Sequence, residues 1–223
     1  MTLVLAAHGT RSPAGAAVVH DLAERVRDLL PEVGVRVAFA DVRAPDVTTV
    51  LRATPDPAVV VPVFLAGGYH VRVDIPAQIA AARRDVVLTP HLGPSAGLVS
   101  ALHDRLAAAG WRPGDAVVMA AAGSSDPRAL AEVRRAAVLL GARTGAAVRV
   151  GFAATAHPRV AEVVAGVRGR VAVASWLLAP GLFHRAVADC GAEVVAAPLG
   201  AHPKVAELVA RRYAEARAYA RAA

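Results

Sequence analysis

Short apolar runs alternate along the chain with longer segments whose apolar residues recur every three or four positions. The runs Leu3–Ala7, Val59–Val63, Val117–Ala122 and Val171–Ala174 end in Gly, Pro or polar residues, as buried parallel strands do. Strands are expected at 2–7, 35–40, 58–64, 85–89, 115–121, 147–152, 170–177 and 193–196. Helical patterns fall near 14–30, 45–53, 73–83, 95–109, 127–144, 159–166, 182–190 and 203–221. This regular strand–helix alternation predicts an α/β fold of parallel sheets flanked by helices. No apolar run approaches the ~20 residues of a membrane-spanning helix, so no membrane association is expected.

The two halves repeat one another. Leu3-Val-Leu-Ala-Ala-His-Gly-Thr aligns with Val117-Val-Met-Ala-Ala-Ala-Gly-Ser, and Phe39 with Pro45 aligns with Phe152 with Pro158. Tyr69-His70 aligns with Phe183-His184, and Thr89-Pro-His-Leu-Gly with Ala197-Pro-Leu-Gly. Matches in this order imply an internal repeat of about 114 residues, too long for a solenoid unit. The turn-rich stretch Gly110-Trp-Arg-Pro-Gly114 places the boundary. The expectation is therefore a first lobe over 1–112 and a second over 113–223, with a ligand cleft between them.

Composition narrows the partners. The chain has 223 residues, is 56% hydrophobic and carries a formal net charge of +7, which excludes a disordered polar chain. Nearly all the cations are arginines, with Lys204 the only lysine. They are scattered, with no basic arm, zinc-finger spacing or aromatic stacking signature, so nucleic acid is not expected. A small polycarboxylate suits arginine forks better. Cys190 is the only cysteine, which excludes an internal disulfide; with no signal peptide visible before the first strand, a cytoplasmic protein is expected.

The chemistry concentrates in the first half. In open parallel sheets, ligands sit outside the carboxyl ends of the strands. His8 directly follows the first expected strand, Asp41 the second, and His70 comes shortly after the third. Two imidazoles and a carboxylate at one sheet edge suit a divalent transition metal, or proton transfer near neutral pH. Taken singly, each histidine is more often structural, and Asp41 is most often a turn or capping residue; three at successive strand ends are harder to dismiss.

The segments His8-Gly-Thr-Arg-Ser-Pro13 and Pro62-Val-Phe-Leu-Ala-Gly-Gly-Tyr-His-Val-Arg-Val-Asp-Ile-Pro76 resemble the sirohydrochlorin chelatases, the iron or cobalt chelatases of siroheme and cobalamin synthesis. The resemblance runs through Ala121-Ala-Gly-Ser-Ser-Asp-Pro127 and Pro198-Leu-Gly-Ala-His-Pro203. It implies two chelatase-like lobes, metal-site histidines at His8 and His70, and an acidic partner that is usually Glu but here is Asp41. The activity implied is ATP-independent insertion of Co2+ or Fe2+, with Ni2+ also compatible, into sirohydrochlorin by a monomer without a tightly bound cofactor. Arg11, Arg43 and Arg72 lie close to the site residues and are expected to grip substrate carboxylates. Gly67, Gly68 and Tyr69, with Ser124 and His184 of the second half, complete the expected substrate-binding set. Because His8 corresponds to Ala122 and Asp41 to Ala154, the second half should carry a degenerate site and serve as the cleft wall.

Two other functions compete. His8-Gly-Thr-Arg resembles part of a histidine phosphatase or mutase motif, although position 7 is Ala where that chemistry needs Arg. A metal or tetrapyrrole carrier without turnover would use the same ligands. A P-loop motor is excluded, because no Gly-x-x-x-x-Gly-Lys-Ser/Thr run exists.

Overall fold

The six residues of β1 (Thr2–Ala7) are all buried, because parallel strands are covered on both faces. In the computed structural model, which describes residues 1–82 and 85–222, β1 is a central strand of the first sheet. It lies between β2 (Val35–Phe39) and β3 (Ala58–Pro62), and β4 (Val86–Leu88) forms the far edge. All pairings are parallel, in the order β2-β1-β3-β4, with Ala7 opposite Phe39 and Ala6 opposite Pro62. The second sheet repeats this plan as β6-β5-β7-β8, built from β5 (Ala116–Ala121), β6 (Val148–Phe152), β7 (Val171–Trp176) and β8 (Val194–Val195).

Helices supply the layers. In the first unit these are α1 (Pro13–Leu29), α2 (Val47–Arg52) and α3 (Ile75–Ala82), the last entered through a π-helical turn, His70–Asp74. Val4, Ala6, Val60, Val47, Leu51 and Ile75 form one face of its core. The second unit carries α4 (Ala96–Ala108), α5 (Pro127–Thr144), α6 (Val160–Ala165) and α7 (Leu182–Ala188). The final helix, α8 (Pro203–Ala222), packs on α1, β3 and β4.

That last contact corrects the expected division at residue 112. The compact units are residues 1–92 with the segment from Ala201 onward, and Gly93–Gly200. Helix α4 buries Leu98, Val99, Leu102 and Leu106 and packs on β7 and α5, so it belongs to the second sheet. Each sheet needs apolar cover on both faces, and here a helix from beyond the turn at 110–114 supplies part of it. Among the described residues, no helix is long and apolar enough to cross a membrane.

The likeness of the units extends to single backbone bonds. Phe39 N–H donates to the Pro45 carbonyl at 2.9 Å, and Phe152 N–H to that of Pro158 at 2.9 Å. Beyond the strand ends, Ala40 and Asp41 donate to Ala7 and His8, as Ala153 and Ala154 donate to Ala121 and Ala122. Gly9 (φ +94) and Gly123 (φ +98) occupy matching turns. A Cβ on either would lie 2.0 Å from a backbone carbonyl oxygen, that of Asp41 or Ala154.

That contact yields a test away from the histidines. Gly123→Ala introduces both the steric clash and the unfavourable φ, and should cost about 3 kcal/mol or more. Gly110 also has a positive φ (+93), but nothing lies within 4 Å of its Cβ position. Gly110→Ala should therefore cost only about 1 to 2 kcal/mol. Chemical unfolding of both variants checks the difference.

Candidate functional site

The order β2-β1-β3-β4 changes direction between β1 and β3, which opens a crevice at the carboxyl ends of those strands. His8 follows β1 and His70 follows β3, so the fold brings the two imidazoles to that point. Their ring centroids are 4.4 Å apart, edge to face at 80°. Phe64 stands 6.2 Å from the His8 ring and 6.3 Å from that of His70, giving the pair an aromatic neighbour. His8 is exposed, and its Nδ1 lies 2.9 Å from the Gly9 carbonyl oxygen. A carbonyl only accepts, so Nδ1 carries the proton and Nε2 keeps a free lone pair.

Asp41 does not complete a three-ligand cluster. Its side chain is exposed and its Oδ1 accepts from the Val42 amide at 2.7 Å. Val42 adopts φ 50, and this short bond closes the tight loop. Only the Asp41 backbone reaches the site, its N–H donating to the His8 carbonyl at 3.0 Å. Among the described residues, no group of three or more His, Cys, Asp or Glu could hold a metal ion. The expected His–His–carboxylate convergence is a pair of histidines in this geometry.

The arginines brace the loops around that pair. Arg43 Nη1 donates to the Thr10 carbonyl at 3.0 Å, joining the loop after β2 to the loop after β1. Its guanidinium also lies over Phe39, 5.9 Å from the ring centroid. Arg72 Nε donates to the Gly67 carbonyl at 2.6 Å, tying the π-helical turn back to the preceding bend. Arg11 is exposed, and Tyr69 is 63% exposed beside His70. Gly68 N–H donates to the Ala66 carbonyl. A Cβ on Gly67 would lie 2.8 Å from His91 Nε2 and 3.2 Å from Arg72 Nη2, side-chain atoms that would have to shift.

Three residues escaped sequence reasoning. Gln78 on α3 accepts from Val47 N–H and donates to the Ala40 carbonyl, pinning both ends of the loop that carries Asp41. Phe64 read only as strand, yet its ring flanks both histidines. Asp74 places Oδ2 2.5 Å from His70 Nδ1. Its signal was the four-residue spacing from His70, which counts as a pair only if the helical path begins at His70.

The second unit keeps the scaffold without this chemistry. Ala122, Ala154 and Ala156 stand where the first has His8, Asp41 and Arg43. Ser124 Oγ accepts from the Asp126 amide at 3.0 Å, a turn-forming bond ahead of α5. His184 is half-buried in the first turn of α7.

Comparison with known proteins agrees with this architecture. The CbiX family model matches residues 2–109 and 116–216. A solved structure of SirB from Bacillus subtilis with Fe3+ superposes with a TM-score of 0.80 at 20% identity, covering 100% of this chain and 98% of that one. The structure of CbiX described as the terminal enzyme of siroheme biosynthesis in denitrifying bacteria gives 0.77 at 25% identity, over 97% and 99%. The fold is therefore the two-unit chelatase fold. The chain belongs to the CbiX family. A sirohydrochlorin cobaltochelatase of Methanopyrus kandleri is 36% identical over 83 residues, which span 35% of this chain and 58% of that protein. Family membership removes the histidine phosphatase alternative.

The loop carrying Asp41 ends at Asp46, the cap of α2. Hydrogen bonds from the Thr49 side chain and amide hold the Asp46 carboxyl below its ordinary value of 3.8. A carboxylate lowered in the folded state contributes stability above its unfolded value and loses it as pH falls through the folded one. Asp46→Ala should thus cost about 1 kcal/mol at neutral pH. The gap from wild type should narrow as the pH drops below 3.8, which urea unfolding at several pH values would reveal.

Proposed function

We propose that the chain is a sirohydrochlorin chelatase that inserts Co2+ or Fe2+ without ATP, with the chemistry in the first unit. The observation that carries this reading is the pair of imidazoles, centroids 4.4 Å apart, at the switch point of a chelatase-fold sheet. Two neutral imidazoles suit a divalent metal of this class. Two ligands also leave coordination positions open, as a metal that must be handed on requires.

The reaction exchanges charge evenly. The free macrocycle loses two inner N–H protons as one divalent ion enters, so the products are the metal complex and two protons. His8 and His70 would receive the metal on Nε2, and each Nε2 vacated as the metal passes to the macrocycle would take one of the two protons. Asp41, whose N–H donates to the His8 carbonyl, relays or orients from the neighbouring loop, where sirohydrochlorin chelatases usually carry Glu. Arg11, Arg43 and Arg72 supply the positive charge that the carboxylate-rich macrocycle needs. Arg43 spends one donor on a loop carbonyl and retains others for substrate. Gly67, Gly68 and Tyr69 line the approach to His70. Both histidines belong to one chain, so a monomer suffices.

Anaerobic spectroscopy with sirohydrochlorin and each metal tests the proposal. Turnover should exceed the rate in buffer, and many equivalents of product should form per chain. Formation of one equivalent only would identify a carrier. His8→Ala and His70→Ala should each slow insertion by about 100-fold or more. His184→Ala should slow it modestly and leave metal binding intact. Equal losses in His184→Ala and His70→Ala would overturn the assignment of the chemistry to the first unit.

A further inference from the structure

We propose that Asp74 is a positioning residue: it fixes the proton of His70 on Nδ1 so that Nε2 presents its lone pair to the metal. This rests on the reading of His70 as a metal ligand and assigns a role to a residue outside the set inferred from sequence.

Three observations carry it. Asp74 Oδ2 lies 2.5 Å from His70 Nδ1, and the two side chains are similarly sheltered, at 26% and 27% exposure. An ionised carboxylate only accepts, so the imidazole must be the donor through Nδ1. In the neutral ring the lone pair then sits on Nε2, the same nitrogen that the Gly9 carbonyl leaves free on neutral His8. Metal-ligating histidines are commonly oriented in this way by a carboxylate on the other ring nitrogen.

The backbone that carries Asp74 is also held. Asp74 is the last residue of the π-helical turn His70–Asp74, a departure from α-helix that is frequent at functional sites. The turn is anchored at its end by Ile75, which is completely buried and whose N–H donates to the His70 carbonyl. At its centre, Arg72 Nε is bonded to the Gly67 carbonyl. Backbone freedom on both sides of Asp74 is thereby restricted.

The duplicated half supplies an internal contrast. His184 matches His70, and the position four residues on, which matches Asp74, is Ala188. The Nε2 of His184 is buried and has no hydrogen-bond partner. The histidine is kept in both units, whereas the carboxylate accompanies only the one that stands beside a second imidazole. A purely helix-forming role for Asp74 gives no reason for that difference.

The test compares full-length wild type, Asp74→Asn, Asp74→Glu and His70→Ala. Nitrogen-15 NMR of the metal-free protein, at a pH where imidazole is neutral, reads the His70 tautomer. Titration with Co2+ reads the metal affinity. In wild type the proton should reside on Nδ1. In Asp74→Asn it should spread to Nε2, and Co2+ affinity should fall by about 10- to 100-fold. Asp74→Glu should restore much of both. A His70 tautomer and Co2+ affinity unchanged in Asp74→Asn would overturn the proposal, as would lost affinity with an unchanged tautomer. In either case, loss of Co2+ by His70→Ala would leave the wider reading standing. Retention of Co2+ by His70→Ala would overturn both.

Discussion

The site depends on one close backbone approach. The turn after β1 crosses the loop after β2 so tightly that Gly9 has no room for a Cβ beside the Asp41 carbonyl. That approach sets the His8 backbone where Asp41 N–H can bond to its carbonyl, and it aligns Thr10 with the Arg43 guanidinium. Gln78 then ties the far ends of the Asp41 loop to α3. Two loops that would otherwise be independent become one rigid rim. The position of His8 relative to His70 follows from this rim and from the strand order beneath it.

The same approach persists in the second unit, where it serves no evident chemistry. Gly123 meets the Ala154 carbonyl at the distance that Gly9 meets that of Asp41. Thr155 repeats the positive φ of Val42. The backbone constraint is thus a requirement of the fold, and side chains can be removed from it without loss of the loop. Alanines at 122, 154 and 156 show which groups are dispensable to folding: an imidazole, a carboxylate and a guanidinium. The second unit forms the matching loop without a counterpart to the Arg43 bond to the Thr10 carbonyl.

Much of the fold was legible in the sequence because strands buried on both faces must be apolar throughout, as β1 is. All eight expected strands and their helices are present, with ends displaced by a few residues. The partition into units was not legible. The amphipathic patterns of α4 and α8 state that each buries a face, but not against which sheet. The histidine pair was legible because both residues follow strand ends, and the rule for parallel sheets supplies the rest. Asp41 misled because sequence shows where a loop begins, not which way a one-carbon side chain turns; it turned to its own next amide. Asp74 was hidden by the register of a helix start. Helical periodicity seemed to begin beyond His70, whereas the chain is already helical there through a π-turn.

The mismatch over Asp41 bears on what the site must do. A structural metal site closes its coordination sphere with several strong ligands, and the metal then contributes to folding. An enzyme that transfers its metal into another ligand set cannot hold it so tightly, since every bond made before transfer must be broken during it. A pair of imidazoles, each fixed on Nδ1 by an acceptor, offers oriented donors without a closed cage. On the proposed reading, the two imidazoles receive a divalent ion with coordination positions left open for the macrocycle.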